Sequence, residues 1–140
     1  MRKLAVILCL IMSAACNDDD ATRYTSIDGY WVVRTPDDDT DVTFQVGRDA
    51  DNQFIVQSVS VHHNGTDYNN KETDAEITVL SEREVESITF VTTVPQIPFY
   101  VIRFQGISLN SDFTEMLISN SSFQIDGVFD EFAMITATRE

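Results

Sequence analysis

The chain has 140 residues and a net charge of −14, from 9 basic and 23 acidic side chains. A surface that negative excludes nucleic acid and anionic membrane as partners held by charge. With 2 histidines, a centre needing three imidazoles is excluded too. The first element in chain order is a targeting segment, residues 1–15. Arg2 and Lys3 precede the apolar run Leu4 to Met12, which is too short to span a bilayer. Small residues then lead into Cys16, and Asn17-Asp18-Asp19-Asp20 follows at once.

The junction Ser13-Ala14-Ala15-Cys16 resembles the lipobox of bacterial lipoproteins, with Ser13 where that pattern prefers leucine. The resemblance implies cleavage before Cys16 and acylation of that residue by palmitate-type chains. Several such chains, at about 0.8 kcal/mol per buried methylene, make a permanent anchor. The acidic run resembles the surface-export signal of lipoproteins from the Bacteroides group; read without that resemblance, it is a solvated spacer. Together these imply a protein lipid-anchored in the bacterial outer membrane, facing the periplasm or the cell surface. Residues 16–25 form its tether and residues 26–140 a single domain. Cleavage leaves 7 basic against 23 acidic side chains, a net charge of −16. It also discards Cys9, so the domain has no cysteine pair and rests on its core alone.

From Ile27 onward, short runs rich in Val, Ile, Phe, Tyr and Thr alternate with Asp, Asn, Gly and Pro clusters, the pattern of strands and turns. Strands are expected at Tyr30 to Thr35, Val42 to Val46 and Gln53 to His62, then a polar loop from Asn64 to Asp74. A hairpin follows, Ile77 to Leu80 and Val85 to Thr92. Phe99 to Leu109 is apolar on both faces at its start and so expects cover on both sides. Phe113 to Ser119, a short piece at Phe123 to Ile125, and a terminal strand from Phe129 to Arg139 complete eight or nine strands. Short connections imply an antiparallel meander that closes on itself or splits into two sheets.

Gly29-Tyr30-Trp31 resembles the Gly-x-Trp that opens the first strand of lipocalins and related calycin barrels. Ile135-Thr136-Ala137-Thr138-Arg139 resembles the last-strand segment whose arginine packs over that tryptophan. The resemblance implies an all-β, up-and-down calycin-like barrel of about eight strands, closed at its base by Trp31 and Arg139 in a structural role. An immunoglobulin-like β-sandwich is the alternative.

No catalytic constellation emerges. His62 and His63 are adjacent on a strand and point to opposite faces, which spoils them as joint metal ligands. The aspartate clusters at 37–41 and 49–51 lack calcium-loop spacing and read as turns. No nucleophile can be paired with a base, and no cofactor is implied. The segment from Val94 to Tyr100 is apolar where a loop should be polar, so Val94, Ile97, Phe99 and Tyr100 are candidates for lining a barrel mouth. The expected function is non-enzymatic: lipocalin-like binding of a small apolar ligand. The alternative is a protein–protein interaction module, inhibitor or accessory subunit, of an envelope complex.

Overall fold

The computed structural model describes residues 24–68, 73–92 and 99–140. The expected targeting segment at residues 1–15, Cys16, the acidic run to Asp20, and Val94 and Ile97 lie outside them. Nine strands follow: β1 (Gly29–Arg34), β2 (Thr40–Arg48), β3 (Phe54–His63), β4 (Thr66–Asp67), β5 (Thr73–Ser81), β6 (Glu84–Thr92), β7 (Tyr100–Leu109), β8 (Glu115–Ile125) and β9 (Val128–Arg139). All pair antiparallel in one sheet, in the order β4-β3-β2-β1-β9-β8-β7-β6-β5. The first long strand therefore pairs with the last, and the fold is a calycin-like up-and-down barrel rather than a two-sheet sandwich. The sheet curls until β3 and β5 lie against each other, so the seam falls between them.

The barrel wall is a single layer, and each strand buries alternate residues. Tyr100, Ile102 and Phe104 of β7 point inward, while Val101 is half-buried and Arg103 exposed. Among the described residues no second sheet lies outside this strand, so the expected two-sided cover is not found there. The two pieces expected at Phe113 to Ser119 and Phe123 to Ile125 are one strand, β8, which runs unbroken through Asn120-Ser121-Ser122.

On β6, β7, β8 and β9 strict alternation fails once per strand, and the failures line up. The inward residues run Val85 then Ile88 on β6, Phe104 then Ile107 on β7, Ile118 then Ser121 on β8, and Phe132 then Ile135 on β9. Each strand inserts one extra residue at the same level, so the registers on either side remain continuous. Gly106 and Met134 hold this row with left-handed φ values of 61° and 56°. Ser119, between them, donates its hydroxyl to the Gly106 carbonyl at 2.8 Å. The row acts as a concerted bulge that bends the wall and keeps both halves of the apolar pattern facing inward.

Candidate functional site

One end of the barrel is built around Trp31 and Arg139, which are cross-strand partners on β1 and β9. The indole is fully buried and donates Nε1–H to the Ile27 carbonyl at 2.8 Å. The guanidinium carbon of Arg139 stands 5.0 Å from the indole centroid and 4.0 Å from that of Tyr24. One guanidinium nitrogen donates to two carbonyls, Ser26 at 2.9 Å and Phe113 at 2.8 Å. Burial lowers the Arg139 pKa from its ordinary value, opposed by Tyr24 and Asp28. Phe113 is buried in a left-handed conformation with φ of 55°, and its carbonyl is one that Arg139 holds. This end is a plug of side chains.

The interior is occupied by rings that span it. Phe44 on β2 meets Phe90 on β6 at 5.4 Å between centroids, although four strands separate them in the sheet order. Phe104 stands 6.2 Å from Phe44 and 5.8 Å from both Phe90 and Phe123. Opposite walls touch at this level, and such pairs add about 0.5–1.5 kcal/mol beyond burial.

At the other end, Tyr100 is buried and its hydroxyl shares a 2.5 Å hydrogen bond with Thr73. Its ring meets Tyr68 edge-on at 6.1 Å. Burial pushes the pKa of both phenols up; the Thr73 bond opposes this at Tyr100, and the charge of Asp126 adds to it at Tyr68. Phe99 is half-buried, and its carbonyl accepts the Asp126 amide at 2.8 Å. Of the four residues expected at a mouth, Tyr100 therefore belongs to the packed interior and Phe99 to a backbone clasp on the β8–β9 turn.

His62 and His63 separate as the strand geometry requires. His62 Nδ1 lies 2.6 Å from Asp67 at the surface, and His63 Nδ1 lies 2.7 Å from the hydroxyl of buried Thr40. In the β1–β2 turn, Thr35 Oγ1 donates to Asp37 at 2.5 Å and the Asp39 amide adds a second bond, which together hold the Asp37 carboxyl below its ordinary value. Its contribution to stability is fully present above the ordinary carboxylate pKa and fades as the pH falls through the lowered folded value. In Thr35→Val, carboxyl NMR titration should show the Asp37 pKa moving up; an unmoved pKa would remove the hydroxyl as its cause.

Several large apolar side chains stand in solvent. Leu80, Val128, Phe129 and Met134 are 64, 55, 59 and 61% exposed. Outside the concerted bulge lies an open groove of about 510 Å³ bordered by Leu80, Glu86, Gly106 and Ser119. Val128 and Phe129 open β9 directly after the Asp126-Gly127 turn. Only their position beside that turn hinted that they escape burial. Comparison with protein-family models, curated proteins and solved structures finds no match to this chain.

Proposed function

We propose that the chain is a cell-envelope lipoprotein, anchored through Cys16, whose barrel is a non-enzymatic protein-interaction module working through its outer surface. The observation that carries this reading is the contrast between inside and outside. Phe44, Phe90, Phe104 and Tyr100 fill the space a small apolar ligand would need, while Val128, Phe129 and Met134 stand in solvent. Small apolar ligands need an open, largely preformed cavity, which these rings oppose.

The test places a photo-crosslinking residue at Phe129, at Met134, and at exposed Glu76 on β5 as control, in the native envelope. Protein adducts from the first two and none from the control are expected. Absence of adducts at all three, together with saturable binding of an apolar fluorescent probe, would return the function to small-ligand binding. The anchor has its own check. Mass spectrometry of the membrane-purified protein should show a chain beginning at acylated Cys16, and an unmodified N-terminus there would overturn the lipoprotein reading.

A further inference from the structure

β1 has 6 residues and β9 has 12. β1 backs β9 only from Ala137 to Arg139, through Val33, Val32 and Trp31. Among the described residues, the first half of β9 therefore pairs with β8 on one side and with no strand on the other.

The direction of its backbone groups follows from the ladder. In an antiparallel sheet a residue's N–H and C=O point to the same side, and the side alternates along the strand. The Asp126 amide points to β7, where it bonds Phe99. Ile125, Phe123 and Ser121 therefore point to β9, and so do their partners Val128, Asp130 and Phe132 toward β8. The N–H and C=O groups of Phe129, Glu131 and Ala133 are left facing outward. Among the described residues none of these has a backbone partner. The Asp126-Gly127 turn bounds the edge at one end and left-handed Met134 at the other. At about 3.3 Å per residue, six residues give roughly 20 Å of open ladder.

We propose that this edge of β9, from Val128 to Ala133, accepts an extended basic segment of a partner protein as an added strand, an inference that rests on the interaction-module reading above. Main-chain bonds to Phe129, Glu131 and Ala133 supply the attachment, and the side chains set the choice of partner. Phe129, Glu131 and Ala133 lie on the outer face and Val128, Asp130 and Phe132 on the inner one, so each face carries an acid between apolar residues. The complementary segment has two adjacent basic residues flanked by β-branched ones. It runs antiparallel to β9, in line with β1, with the exposed Asp37, Asp38 and Asp39 of the β1–β2 turn beside one end and Asp126 beside the other.

The same charges argue against a second copy of this chain. Antiparallel self-pairing centred on this edge sets Glu131 against Glu131, Asp130 against Asp130, or each against the other. Like charges directly opposite are destabilising, and the chain is already at −14. Acids on an open edge keep copies apart and leave a basic strand as the favoured occupant.

The experiment uses the full chain in detergent micelles and the peptide Thr-Ile-Val-Lys-Arg-Val-Ile-Thr. Expected are saturable binding and new exchange protection at the amides of Phe129, Glu131 and Ala133. Replacing Lys-Arg by Glu-Glu in the peptide, or making Asp130→Lys with Glu131→Lys in the protein, should weaken binding about tenfold or more. N-methylating alternate peptide amides on the pairing side should abolish the protection, and so should Glu131→Pro. Should the proline variant fail to fold, the N-methylated peptide supplies the same test on the native protein. Equal binding of the N-methylated peptide, or binding without protection at those amides, would overturn strand addition. A native dimer dispersed by the charge-reversed variant would overturn it in favour of a second copy. Crosslinks from Phe129 that persist when the peptide fails would sink this inference and leave the interaction module standing; failure of both sinks both.

Discussion

Replacing Phe104 with alanine is expected to destabilise the domain by about 3–5 kcal/mol, lowering its melting temperature by on the order of 10–20 °C. Phe104 is fully buried and its ring stands within 6.2 Å of three others, on β2, β6 and β8. Removing it takes away its burial energy and leaves a void where opposite walls meet. The neighbours are rings on different strands of one curled sheet, so they cannot collapse inward without bending several ladders. The control is the same substitution at Phe129, which is 59% exposed and should stay within about 0.5 kcal/mol. Urea unfolding monitored by circular dichroism measures both. If Phe104→Ala costs no more than Phe129→Ala, the ring cluster does not hold the barrel together.

That cluster was partly visible in the sequence. Phe44, Phe90, Phe104 and Phe123 sit at alternating positions within expected strands, so their inward direction follows from the two-residue period. Even the concerted bulge leaves a trace, since the apolar spacing widens from two to three at Val85 to Ile88, Phe104 to Ile107 and Phe132 to Ile135. The two-residue phase of the inward face shifts by one at these points. Met134 gave no such signal, because a methionine in the left-handed region is imposed by its neighbours and not chosen by its own propensity.

The open edge is harder still to read. It depends on the register between β1 and β9, strands separated by nearly the whole chain, and on the early turn at Pro36 that ends β1 while β9 runs on. Strand lengths can be read locally; the pairing that makes their difference matter cannot. The apolar segment at Val94 to Tyr100 shows the converse. Its composition drew attention, yet Tyr100 belongs to the packed interior because the inward face of β7 requires a large residue there.

At the base, Arg139→Ala should cost about 2–4 kcal/mol, because three effects coincide. The carbonyls of Ser26 and Phe113 lose their donor. The fully buried Trp31 loses the cation 5.0 Å from its ring. Phe113 also loses one hold on its left-handed backbone. Trp31 is the chain's single tryptophan, so its emission should shift to the red as water reaches it. Arg139→Lys should fall between, since an ammonium cannot reproduce the planar donor geometry over the indole. Gly29 makes the assignment specific. It has φ of 138°, and a Cβ there would stand 2.7 Å from the Arg139 guanidinium. Gly29→Ala should therefore destabilise through backbone strain and through collision with Arg139. In the Arg139→Ala background only the strain remains, so the double variant should be more stable than additivity predicts by about 0.5–3 kcal/mol. Strictly additive costs would mean that the guanidinium does not occupy the space over Gly29, and the arginine would lose its place as the lid of the barrel base.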